Sequence, residues 1–111
     1  MSFGLTAPAA VPVELRASRR RVFRLSQEIG PEGLRLRVPA PFEVGEPVAL
    51  RFVLPDEEDV LELRAEVRLS GDEQEANGTR GGCALALIET PREVRERIAR
   101  YVAARLGLPR I

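Results

Sequence analysis

Apolar and polar residues alternate with a period of two along most of the first 88 positions, and with a helical period only after Pro91. Val11, Val13 and Leu15 alternate with Pro12, Glu14 and Arg16, which predicts a short strand with one buried face. Arg21 to Ile29 carries Val22, Phe23, Leu25 and Ile29 among polar residues and predicts a second strand. Gly30-Pro31-Glu32-Gly33 is a turn. Leu34, Leu36 and Val38 alternate with Arg35 and Arg37 in a third strand, stopped by Pro39-Ala40-Pro41. After the turn at Gly45-Glu46-Pro47, Val48, Leu50, Phe52 and Leu54 form the inward face of a fourth. The fifth is the clearest: Leu61, Leu63, Ala65, Val67 and Leu69 face one way, while Glu62, Arg64, Glu66 and Arg68 face water with alternating signs. A polar loop from Gly71 to Gly82 leads into a sixth strand, Cys83 to Ile88.

The helical signal follows at once. Thr90-Pro91-Arg92-Glu93 has the composition of a capping box, with Thr90 and Glu93 bonding reciprocally and Pro91 where an amide proton is not needed. Val94, Ile98, Tyr101, Val102 and Leu106 form an apolar stripe, and Gly107 and Pro109 end it. The stripe reads as a face packed on the sheet. The expected fold is therefore mainly β: a six-stranded antiparallel β-barrel with a C-terminal helix at about 91–106. Residues 1–10 are expected as a flexible lead-in, residues 11–106 as the barrel domain and residues 107–111 as a tail.

Composition narrows the chemistry. With 111 residues the chain is one domain's worth of polypeptide. It has no His and a single Cys, so the usual general base and the commonest metal ligand are missing. No metal site, no resident cofactor and no enzyme are expected. Cys83 reads as a small buried hydrophobe, and a single Cys, which cannot form an internal disulfide, points to a reducing compartment, hence the cytoplasm. No apolar run reaches the roughly 20 residues of a membrane span, and the first ten residues lack the form of a signal peptide.

Seventeen Arg and no Lys balance seventeen acids. A neutral chain is a poor general nucleic-acid binder. The cations are unevenly spread, however. Arg16, Arg19, Arg20, Arg21 and Arg24 cluster around the expected first hairpin, and Asp56, Glu57, Glu58 and Asp59 form an acidic run. The Arg cluster is the candidate contact for an anion or an acidic partner.

Three segments resemble the PilZ domain family of bacteria. Glu28-Ile29-Gly30-Pro31-Glu32-Gly33-Leu34 stands in the place of that family's (D/N)xSxxG turn. The stretch from Val44 to Pro55 is similar to a family strand, and Gly81-Gly82-Cys83-Ala84-Leu85-Ala86-Leu87, running into Thr90-Pro91-Arg92-Glu93, is similar to its closing strand and helix. The resemblance implies a six-stranded barrel and a place in a cyclic di-GMP signalling network, motility among its themes. Its ligand residues would be Glu28, Gly30 and Gly33. Here Glu28 replaces Asp or Asn and Gly30 replaces Ser, so a hydroxyl is lost. The family's RxxxR motif lies before the first strand, where residues 1–10 hold no Arg. Two RxxxR spellings, from Arg16 to Arg20 and from Arg20 to Arg24, fall within or after that strand. The resemblance therefore leaves two expectations: an adaptor that binds a protein partner with cyclic di-GMP binding weak or lost, or a genuine cyclic di-GMP receptor working through the Arg16 to Arg24 cluster.

Overall fold

The computed structural model describes residues 3–71 and 82–108. Seven strands, β1 (Ala7–Pro8), β2 (Pro12–Ala17), β3 (Arg20–Ile29), β4 (Gly33–Leu36), β5 (Pro47–Val53), β6 (Val60–Gly71) and β7 (Gly82–Ile88), precede one helix, α1 (Arg92–Leu106). Every pairing is antiparallel. The sheet runs β3-β2-β5-β6-β7-β4, and β3 pairs with β4 to close it as a six-stranded barrel. The barrel consists of two meanders, β2-β3-β4 and β5-β6-β7, joined along two seams, β2–β5 and β4–β7. The sequence's Gly71 to Gly82 loop falls on residues 72–81, outside the described residues, between a β6 and a β7 that remain paired as far as Gly71↔Gly82.

Period-two burial explains the strands. Val13, Leu15 and Ala17 of β2, Val48, Leu50 and Phe52 of β5, and Leu61, Leu63, Ala65 and Val67 of β6 all point into the core. Their neighbours point out, and the outward acids and Arg residues pair across strands, as in Arg51 Nε–Glu62 Oε1 at 3.1 Å. Cys83 is buried, as its composition suggested. Bulges between Ser26 and Glu28 and between Val67 and Leu69 tighten the curvature that closure demands.

The elements depart from the sequence reading in three places. First, the segment expected as a flexible lead-in contributes β1, which pairs with β3 through Ala7↔Ile29 and Pro8↔Glu28. It uses the same edge of β3 that β2 occupies further along, at Pro12↔Leu25. The two are one strand interrupted at residues 9–11, and Ser26 fills the break. The fully buried Ser26 Oγ accepts from Val11 N–H at 3.0 Å and donates to Ala9 C=O. Second, the third expected strand stops at Leu36, so Val38 is exposed. The chain then turns, and Ala40 and Phe42 fold back to enter the core.

Third, the capping box does not form. Pro91 is the N-cap, with φ −57° and ψ 142°, and no side chain caps the helix. The helix starts one residue late for Thr90 to reach its first turn. Its C-terminus follows the expectation: Gly107 takes φ 71°, and the Gly107 and Leu108 amides bond back to Ala104 and Ala103. Ile98 and Val102 are buried, with Val94 and Tyr101 packed beside them.

Two substitutions test this architecture. Ser26→Ala leaves the Val11 amide and the Ala9 carbonyl buried without their shared partner, and is expected to destabilise by about 1–3 kcal/mol in urea denaturation. Ile98→Ala is expected to cost about 2–5 kcal/mol by the same measurement, because it truncates a fully buried anchor.

Candidate functional site

The turn that carries Glu28, Gly30 and Gly33 joins β3 to β4 and is held by Gly30 N–H donating to Gly33 C=O at 2.9 Å. Glu28 pairs with Arg35 across the hairpin, at 3.5 Å. Neither turn glycine has positive φ. Both are needed for a different reason, which is close approach of neighbouring chain. A Cβ at Gly33 would lie 2.6 Å from Leu85 O and 2.6 Å from the Phe3 ring. A Cβ at Gly30 would lie 2.5 Å from Leu5 O and 2.8 Å from Thr6 Cγ2. The N-terminal segment therefore crosses the turn, and Phe3, only 7% exposed, sits on Gly33.

What remains beside it is a small groove of about 280 Å³ between Phe3, Glu32, Leu87, Glu89 and Arg95. Glu32 Oε2 lies 2.5 Å from where a Cβ on Gly4 would be. Glu89, at positive φ of 51°, is paired with Arg64 at 3.2 Å. The charged groups facing this groove are thus two carboxylates and one guanidinium. Among the described residues no three metal-ligating side chains gather anywhere in the fold.

The Arg cluster is brought together by the β2–β3 hairpin, whose two turn residues are Ser18, with φ 53°, and Arg19. It does not form one surface, because alternation along β3 sends its members opposite ways. Arg20 donates to Pro41 C=O at 2.7 Å, and Arg24 to Pro39 C=O at 2.9 Å, so both brace the loop after β4. Arg16 and Arg21 lie opposite each other on the outer face, and both reach Glu14 in the next row, at 3.8 and 4.0 Å. Arg16, Arg19, Arg20 and Arg21 still border one open groove of about 390 Å³. The acidic run also has an internal role. Arg97 of α1 holds Glu57 with its Nε at 2.6 Å, and Asp59 with its Nη2 at 3.1 Å. The Glu57 hydrogen bond raises the Arg97 pKa above its ordinary value, outweighing the opposing effect of desolvation, and the charges of Glu57 and Asp59 add to the rise.

Two residues that the sequence did not single out matter most here. Phe3 fills the space over the turn. Phe23 is 58% exposed on the outer face, where the alternation of β3 places it when Val22 turns inward. The adjacent apolar pair Val22-Phe23 was the available signal, since in a strand with one buried face one of the two must face water.

The PilZ domain family model matches residues 7–104. No curated protein matches the chain. Among solved structures, the Bacillus subtilis inhibitor of motility, MotI/DgrA, superposes with a TM-score of 0.75 at 20% identity, covering 93% of this chain and 49% of that one. This chain thus spans about half the length of that protein. The PilZ domain of CeSA from a cellulose-synthesizing bacterium superposes with a TM-score of 0.66 at 19% identity, covering 89% of this chain and 95% of that one. At these identities the likeness is one of fold.

Gly33→Ala tests the seating of the N-terminal segment. The added methyl meets a backbone carbonyl and cannot be accommodated by a rotamer change. The variant is expected to lose about 1–3 kcal/mol in chemical denaturation and to speed amide exchange at Ala7 and Ala9.

Proposed function

Because the chain belongs to the PilZ domain family, we propose that it serves as a signalling module of a cyclic di-GMP network that works by binding a protein partner, with its own affinity for the nucleotide weak or lost. The observation that carries this reading is Phe3 seated on Gly33, in the turn where the family resemblance puts the ligand. A nucleotide entering there must displace an aromatic ring already out of water. It would then meet two carboxylates, Glu32 and Glu89, against the single guanidinium of Arg95. Cyclic di-GMP presents two phosphates, and carboxylates beside a diphosphate are repulsive where forked Arg contacts are attractive. Residues 1–10 supply no Arg to reverse this balance.

The module is a binding device rather than a catalyst, and the cytoplasm is its proposed compartment. Among the described residues no helix is long and apolar enough to cross a membrane. The fold shared with the Bacillus subtilis inhibitor of motility makes the control of motility one reading of its output.

Calorimetric titration tests the nucleotide half of this reading. No saturable binding is expected at low micromolar cyclic di-GMP. A sub-micromolar constant at a stoichiometry near one would overturn it and direct attention to the groove bordered by Arg16, Arg19, Arg20 and Arg21. For the partner half, replacing Arg16, Arg19 and Arg21 together by Ser spares the two Arg residues that brace the loop. The triple variant is expected to keep its thermal midpoint yet to release an acidic partner at lower salt than the wild type in a native pull-down.

A further inference from the structure

The outer face of β3, β2, β5 and β6 carries its side chains in rows that the strand registers define. One row is Phe23, Glu14, Arg51 and Glu62, fixed by the pairs Glu14↔Phe23, Glu14↔Arg51 and Arg51↔Glu62. Two residues along, on the side away from the β2–β3 turn, Leu25 lies opposite Pro12 and Val53 opposite Val60, so that row is wholly apolar. Two residues along on the other side stand Arg21, Arg16, Ala49 and Arg64, fixed by Arg16↔Arg21, Arg16↔Ala49 and Ala49↔Arg64. Successive rows are about 6.6 Å apart, and each spans about 14 Å across four strands.

The face thus grades from apolar to basic. Leu25 and Val60 are each 49% exposed, and with Phe23 they leave more large apolar surface in water than a folding role requires. A groove of about 390 Å³ runs between Phe23 and Val60, floored by Val11 and Phe52, and a second, of about 490 Å³, lies on the other side of Phe23 against Val38 and Pro39. Phe23 is the ridge between them, with the Arg21 guanidinium carbon 6.0 Å from its ring centroid.

We propose that this face docks an amphipathic helix of a partner protein, with apolar side chains on either side of Phe23 and a flank of carboxylates over Arg16 and Arg21. The inference rests on the adaptor reading above and names the surface and the chemistry of the partner. Three features select that occupant. β3 is paired with β2 along Arg20–Leu25, and beside that stretch lies the loop after β4, held by Arg20 on Pro41 C=O and Arg24 on Pro39 C=O, so an added strand would have to displace this loop, whereas a helix docks through side chains alone. A span of about 14 Å matches roughly nine residues of helix. Arg16 and Arg21 share the one carboxylate of Glu14, at 3.8 and 4.0 Å, and so keep an excess of positive charge, which a second copy of this face would repeat rather than complement.

The probe is a synthetic helical peptide of about fifteen residues with Leu and Phe at i, i+4 and i+7 and Glu along one flank, alongside a twin carrying Lys for Glu. Fluorescence anisotropy and amide chemical-shift mapping on the intact chain read the result. The acidic peptide is expected to bind saturably, to shift Phe23, Leu25, Val53 and Val60, and to bind at least about tenfold more tightly than its twin. Phe23→Ser, at an exposed position, is expected to keep the fold by circular dichroism and to weaken binding by at least about tenfold. Arg16→Ser with Arg21→Ser is expected to flatten the salt dependence. No saturable binding, equal binding of the Lys twin, shifts mapping to another face, or an unchanged affinity in Phe23→Ser overturns the proposal. So does a concentration-dependent dimer in sedimentation that the peptide breaks, which would give the face to a second copy. The adaptor reading fails separately. A native pull-down unchanged by Phe23→Ser removes this surface and leaves the adaptor intact, whereas tight cyclic di-GMP binding removes the adaptor whatever the peptide does.

Discussion

The register of β3 is the constraint on which the rest of the structure depends. That strand pairs with β1 and β2 on one edge and with β4 on the other, so it both closes the barrel and holds the N-terminal segment. Ser26 fixes its place. A hydroxyl buried in an apolar core is tolerated only if bonded, and here it bonds to both sides of the break between β1 and β2. A slip of one residue would withdraw that hydroxyl, turn Phe23 inward and bring Val22 out. The exposed Phe23 is thus a consequence of where the only buried polar side chain among the described residues must sit.

The same register brings the N-terminal segment across the β3–β4 turn. Gly30 and Gly33 look like remnants of a ligand motif when read as residues alone. In three dimensions their missing side chains are used by the chain itself, one by the Leu5–Thr6 backbone and one by Phe3 and β7. A glycine retained in a motif need not mark a retained ligand. What it marks is a place where something passes close, and the sequence leaves open whether that is a nucleotide or another part of the fold.

Strands with one wet face were legible in the sequence because burial imposes a period of two, and β2, β5, β6 and β7 lie within a residue or two of where that period put them. The helix was legible for the same reason at period 3.6, with Ile98 and Val102 at its centre. β1 was not, since two residues cannot show a period. The end of β4 was misplaced because Val38 continues the alternation, yet the chain already bends at Arg37 and Val38, ahead of Pro39. The Arg cluster was visible as composition, but its division was not. That depended on which carbonyls the loop after β4 would present to Arg20 and Arg24, a matter of tertiary placement. Of the candidate site, the β3–β4 turn lies where Gly30-Pro31-Glu32-Gly33 put it, whereas Phe3 over Gly33 was hidden because that contact joins residues far apart in the chain and leaves no periodic signal.

The arrangement of the barrel as two meanders has a kinetic side. Within each meander the strands are hairpin neighbours and can pair in microseconds. The seams cannot: Leu34 meets Leu85, and Leu15 meets Leu50, only after long stretches of chain have been brought together. Neither meander buries its apolar face alone, and an open one presents two unpaired edges to any other strand. Loop-closure entropy therefore falls on a single late encounter of two half-built sheets, which places this chain among the slower folders of its size. The linker that governs that encounter holds Ala40 and Phe42, both carried into the core as the halves meet. A connection that the folded molecule displays as a loop is, during folding, the tether that sets how often the halves find each other.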